Sequence, residues 1–223
     1  MTKAYDLLVF DWDGTLMDSE ARIVNCLTKS IEDIGAEPRS RDALRNIIGL
    51  GLTEAVQALY ADADAAFVSR FSEAYREHFL HQDDTPSTLF EGAREVVEGL
   101  AETGYLLGIA TGKARRGLDR VLEAEGLTHL FHATRCADET FSKPHPMMLE
   151  EIMVDLDTEP ARTLMIGDTE YDMLMARNAR TAGLAVSYGV HALDRLLACA
   201  SEGHIDGIAE LPDWLTARRR SAA

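Results

Sequence analysis

Leu7-Leu8-Val9-Phe10-Asp11-Trp12-Asp13-Gly14-Thr15 passes in nine residues from a continuous apolar run to a cluster of acids and a turn. A short run of this kind suits a strand buried on both faces, as parallel sheets require. Asp11 and Asp13 are two apart where the strand ends, and side chains two apart on extended backbone leave on the same side. Both carboxylates can therefore address one ligand. Left unpaired in a crevice they repel and each costs desolvation energy, which a cation between them or a proton on one resolves. The same Asp-x-Asp-Gly-Thr pattern also suits a plain turn.

Further apolar runs follow at Tyr105–Ala110, Thr163–Ile166 and Leu184–Ser187, with helical patterns near 91–103, 113–126, 145–156, 170–180 and 191–200. Strand–helix alternation predicts an α/β fold, a mostly parallel Rossmann-like sheet with helices on both faces. The interval 19–83 breaks the alternation. Ile23, Leu27, Ile31 and Ile34 recur at helical spacing, and further helices are predicted near 41–48, 53–60 and 64–80. The expected organisation is a catalytic core from 1–18 and 84–223, with an all-helical module at 19–83 on two linkers, Met17–Ser19 and Asp83–Pro86.

Ligands of open parallel sheets bind beyond the carboxyl ends of the strands, and three of the runs end in polar clusters there. Gly167-Asp168-Thr169-Glu170-Tyr171-Asp172 supplies a second acidic pair, although Asp168 also reads as an N-cap and Asp172 as an acid favoured by the helix dipole. Asp11, Asp168 and Asp172 together offer hard oxygen ligands that suit Mg²⁺. Thr111-Gly112-Lys113 opens a helix, where a hydroxyl and backbone N–H groups can hold a phosphate or simply cap. Lys143-Pro144-His145-Pro146 precedes another helix, and Lys143 either aims into the same crevice or lies on the surface.

Composition narrows the partners. The chain has 223 residues, with 22 Lys+Arg against 38 Asp+Glu and a formal charge of −16. Such a charge repels nucleic acid and anionic bilayers, and the Arg218-Arg219-Arg220 run, read as a solvated tail, is too short to reverse it. No stretch approaches the roughly 18 apolar residues of a membrane span. The first residues run straight into a strand with no signal-like segment. Cys26, Cys136 and Cys199 are odd in number and widely spaced, which fits a reducing cytoplasm and argues against disulfides or zinc.

The four polar clusters, in this order and at these positions, resemble the motifs of the haloacid dehalogenase-like superfamily, whose members commonly carry a helical cap after the first motif. Asp11 to Thr15 stands as Asp-x-Asp-Gly-Thr, Thr111 as the second motif, Lys143 as the third, and Gly167, Asp168 and Asp172 as Gly-Asp-x-x-x-Asp. Within the superfamily the chain looks most like the phosphoglycolate phosphatase-like branch. The resemblance implies Mg²⁺-dependent hydrolysis of a small-molecule phosphate ester in two steps. Asp11 would be the nucleophile and Asp13 the acid and then the base. Asp11, the main-chain carbonyl of Asp13, and Asp168 would hold Mg²⁺, with Asp172 acting directly or through water. Thr111, Gly112 and Lys143 would bind the phosphoryl group.

Asp13, Asp168 and Asp172 argue against the metal-free dehalogenase branch, and Asp13 against the phosphonatase branch. A β-phosphoglucomutase-like mutase remains an alternative, as does a non-catalytic binding relative. Mutases hold a second phosphate with a basic residue on a cap loop. Here the corresponding Gly49-Leu50-Gly51-Leu52 lacks a cation, though Arg45 is near, so Arg45, Gly49, Gly51 and Leu52 are candidate specificity residues. Other features have plainer readings. His129, His132, His191 and His204 read as surface or capping residues, and Trp12 as pointing into the fold. Met147, Met148, Met153, Met165, Met173 and Met175 read as core packing. Lys113, Arg115 and Arg116 read either as added positive potential or as a solvated helix face.

Overall fold

Four buried apolar runs fix the centre of the sheet. A computed structural model describes residues 3–199 and 201–218. It pairs β1 (Leu7–Phe10) with β4 (Leu106–Thr111) on one side and β6 (Thr163–Gly167) on the other, both in parallel. β5 (Ala133–Cys136), β7 (Ala182–Val186) and β8 (His204–Ile205) extend the sheet to the order β5-β4-β1-β6-β7-β8. The side chains alternate across it, as the two-residue strand period demands. Leu8, Phe10, Leu107, Ile109 and Leu164 face α5 (Ala93–Glu102), α6 (Arg115–Glu125) and α10 (Leu211–Ala217). Leu7, Val9 and Met165 face α7 (Met147–Asp155) and α8 (Glu170–Asn178) on the other side. Trp12 turns into the first of these layers, edge-on to Phe131.

Two of the six strands carry no continuous apolar run. β5 reads Ala-Thr-Arg-Cys because it is an edge strand, half-buried along most of its length, and β8 is only two residues long. The run placed at 184–187 forms β7 two residues earlier at its start, and the helix placed at 191–200 shortens to α9 (Leu193–Leu197).

Between β1 and α5 the chain forms α1 (Glu20–Asp33), α2 (Arg41–Asn46), α3 (Leu52–Leu59) and α4 (Ala65–Glu77), the last followed by a π-helical turn at His78–Gln82. These helices bury their own apolar cluster around Leu27, Leu44, Val56 and Phe71. The chain leaves and re-enters the sheet layer side by side, since β2 (Met17–Asp18) pairs antiparallel with β3 (Thr88–Leu89). Arg219 and Arg220 of the basic run lie outside the described residues, while Arg218 stacks its guanidinium over Trp214 at 3.5 Å. Among the described residues no helix is long and apolar enough to cross a membrane.

Candidate active site

Parallel strands that end together put their polar clusters in one crevice, and the carboxyl ends of β1, β4 and β6 do so here. Asp11, Asp168 and Asp172 are buried and their ligand atoms lie within 4.8 Å of one another. Lys143 reaches this cluster from the loop before α7. Its Nζ lies 2.7 Å from Asp11 Oδ1 and 2.7 Å from Asp172 Oδ1, with no solvent exposure of its side chain. The surface reading of Lys143 is thereby excluded. Burial alone pulls an ammonium pKa down, but the two carboxylates outweigh it and hold Lys143 above its ordinary value.

Each carboxylate is oriented by a different local device. Asp168 Oδ1 accepts from Thr15 Oγ1 at 3.0 Å, and its Oδ2 from the Val190 N–H at 2.8 Å. The N-cap of α8 is Thr169 rather than Asp168. Asp172 closes a capping box with it, accepting from the Thr169 N–H and hydroxyl through Oδ2. That leaves Asp172 Oδ1 for Lys143. Asp11 Oδ1 accepts from the Trp12 N–H at 2.7 Å, whereas Asp11 Oδ2 is buried with no hydrogen-bond partner among the described residues. Gly14, at φ +83°, is required by closeness as well as by conformation, because a Cβ there would lie 2.2 Å from Asp168 Oδ2.

One ammonium does not balance three buried carboxylates. Burial first, and then the Asp172 and Asp168 charges, push Asp11 well above the ordinary carboxylate range, against the pull of Lys143. Asp168 rises to about 7, through burial and the charge of Asp172. An all-oxygen donor set, short of positive charge and with Asp11 Oδ2 and Asp172 Oδ1 making no hydrogen bond among the described residues, fits a hard divalent cation such as Mg²⁺.

Asp13 stands apart from that cluster. Its carboxylate accepts from Ser19 Oγ at 2.6 Å and from Lys113 Nζ at 2.8 and 2.9 Å. Ser19 precedes α1 yet makes no side-chain cap bond, having turned to Asp13 instead. Lys113 is therefore not on a solvated face. Arg115 is turned away, bound to Glu139 and Thr134, and Arg116 is exposed on the cavity rim. Neither Ser19 nor Lys113 had been assigned a role at Asp13 from sequence. The only available signal was their position next to a hinge and a strand end.

Above these groups lies a cavity of about 520 Å³, with Asp11, Asp13, Thr111, Gly112 and Lys113 at its floor. Lys143, Asp168 and Asp172 lie beneath that floor, outside its lining. Helices α1, α3 and α4 and the loop after α2 roof it, and this helical layer touches the core directly. The Gly51 N–H donates to Ser142 Oγ at 2.7 Å, and Tyr171 Oη to the Asn46 carbonyl at 2.8 Å. Gly49 and Leu52 line the cavity, but Gly51 and Arg45 do not. Arg45 pairs with Glu20 at 2.9 Å and donates to the Val190 carbonyl at 3.2 Å. His191 is buried rather than on the surface, and its Nδ1 accepts from the first N–H of α8.

The comparisons with known proteins agree with this layout. A relative from Dickeya dadantii (strain 3937) named "Probable phosphatase IndB" is 36% identical over 92% of this chain and 91% of its own. A phosphoglycolate phosphatase from Agrobacterium fabrum is 29% identical over 82% of this chain and 81% of its own. The crystal structure of a hydrolase from Pseudomonas syringae shares the fold, with a TM-score of 0.87 at 21% identity, covering 96% of this chain and 100% of that one. The haloacid dehalogenase-like hydrolase family model matches residues 8–186, from the first buried strand to the fifth strand of the sheet, and the chain belongs to that family.

Proposed function

We propose that the protein is a Mg²⁺-dependent phosphatase that hydrolyses a small-molecule phosphate monoester through an aspartyl-phosphate intermediate. The observation that carries this reading is Asp11, a buried carboxylate with one oxygen tied to Trp12 and Lys143 and the other unpartnered at the floor of a cavity. That free oxygen attacks phosphorus as the ester P–O bond breaks, and Asp13 gives its proton to the departing alkoxide. A water then attacks the phosphoenzyme, Asp13 takes up the water's proton, and the Asp11 carboxylate is released. A divalent cation held by Asp11, Asp168, Asp172 and the Asp13 main-chain carbonyl would neutralise charge on the phosphoryl oxygens. Thr111, the Gly112 N–H and Lys143 are the groups proposed to orient those oxygens.

Lys113 holds Asp13 as an ion pair at 2.8 Å and so fixes the direction of its carboxylate. Ser19 holds the same carboxylate, donating to it at 2.6 Å. Helices α1 to α4 act as the cap, excluding water while the cavity is closed and opening to release product. Phosphoglycolate is the ester that the branch resemblance suggests. The mutase alternative loses Arg45, which is spent on Glu20 and the Val190 carbonyl, but keeps Arg76 and Arg116 in the cavity lining. The test is release of phosphate from p-nitrophenyl phosphate with and without Mg²⁺. Full activity in EDTA would remove the metal from this reading, and no activity with Mg²⁺ would remove the phosphatase itself.

A further inference from the structure

A site that had only to hold glycolate beyond the phosphoryl group would need little room and several polar contacts. The cavity is larger than that, and although Thr53, Glu54, Ser72, Arg76 and Arg116 take part in its lining, most of the lining surface is apolar. At about 520 Å³ it falls in the range of pockets that enclose whole drug-sized ligands. In the same lining as Asp11 and Asp13 stand Leu50, Leu52, Tyr75, Phe79 and Leu80, apolar or aromatic side chains that are only half-buried. Tyr75 and Phe79 stack on each other with ring centroids 5.6 Å apart. Behind them Ile23, Leu27 and Ile47 complete an apolar backing that belongs to the cap's own core.

Apolar surface left facing water carries a free-energy cost in proportion to its area. These side chains share one cavity with Asp11, the group proposed to attack phosphorus. We infer that the physiological substrate is the phosphate ester of a predominantly apolar alcohol, a chain or ring of several carbons, whose hydrocarbon part is buried against this lining. The inference rests on the phosphatase reading and names the class of ester that the reading leaves open.

The test uses the full-length protein with Mg²⁺ and a series of n-alkyl phosphates from methyl to hexyl. Their leaving alcohols are nearly equal in acidity, so chemistry stays constant while burial grows. The expected result is a rise in kcat/KM of about fourfold for each added methylene over the first several carbons, with phosphoglycolate among the poor substrates. Leu52→Gln, at a half-buried position, should flatten that slope. A flat or falling series, with good hydrolysis of p-nitrophenyl phosphate, overturns the inference and leaves the phosphatase standing. A steep slope untouched by Leu52→Gln places the hydrocarbon elsewhere and also overturns it. Absence of phosphate release from every ester, p-nitrophenyl phosphate included, removes both readings together.

Discussion

Asp11 carries two oxygens with different duties, one fixed by Trp12 and Lys143 and one left open. Asp11→Asn keeps the shape and removes the nucleophile, so turnover should vanish while the protein still folds. Activity above about one per cent of the parent, followed by phosphate release, would exclude Asp11 as the attacking group. Lys143 is a different kind of residue, since it touches two of three buried carboxylates. Lys143→Met leaves those charges without their counter-ion. Unpairing a buried ion pair costs about 3–5 kcal/mol, so the metal-free variant should melt far below the parent, with part of the loss regained in Mg²⁺. Equal melting temperatures without metal would contradict the pairing. Asp11, Asp13, Thr111, Lys143, Asp168 and Asp172 were all visible in the sequence, because each sits at a strand end or helix start where apolar runs stop. The contacts of Ser19 and Lys113 with Asp13 were not, although Lys113 already read as a source of positive potential or a solvated face. Their roles depend on where two hinges and a loop meet in space, which local spacing does not encode.

Among the elements, the loop that opens α6 and the loop before α3 approach each other backbone to backbone. A Cβ on Gly112 would lie 2.5 Å from the Leu50 carbonyl oxygen and 2.6 Å from that of Gly49. Both obstacles are backbone, which cannot swing aside. Gly112→Ala should therefore hold the cap off the core. Since ångström-scale misplacement of catalytic groups costs up to about a hundredfold, kcat should fall roughly ten- to a hundredfold, with faster proteolysis of the cap. Unchanged proteolysis and kcat would mean that the loops do not need this approach. The central strands and most helices were legible because each buries a long apolar face. β5 and β8 were hidden by the opposite circumstance: at and near the sheet's edges, few residues need be apolar. The helix read at 64–80 was located, but not its change into a π-helical turn after Glu77. That change aims Phe79 and Leu80 at the cavity and leaves no mark on the apolar period.

At the scale of the whole molecule, the acidic site opposes folding unless a cation joins it. The folded value of Asp168, about 7, lies above the ordinary 3.8. Folded protein therefore binds this proton more tightly than unfolded protein does. Metal-free stability from this group is full below about pH 4 and is lost as pH rises through about 7. Mg²⁺ must displace the same proton, so it should raise the melting temperature more at pH 8 than at pH 5. An equal rise at both would place the ion elsewhere. The net charge of −16 was plain from composition, but the gathering of three of its carboxylates near one lysine needed the fold. The β2–β3 ribbon has a consequence of another kind. Asp18 lies opposite Thr88, so the chain's exit from the sheet and its return share one doorway. Whatever is threaded between them meets the sheet through a pair of neighbouring strands, independent of its own length or shape. The arrangement is a socket into which a foreign module with adjacent ends could be grafted, and a chimera so built would show which parent sets the chemistry and which the choice of substrate.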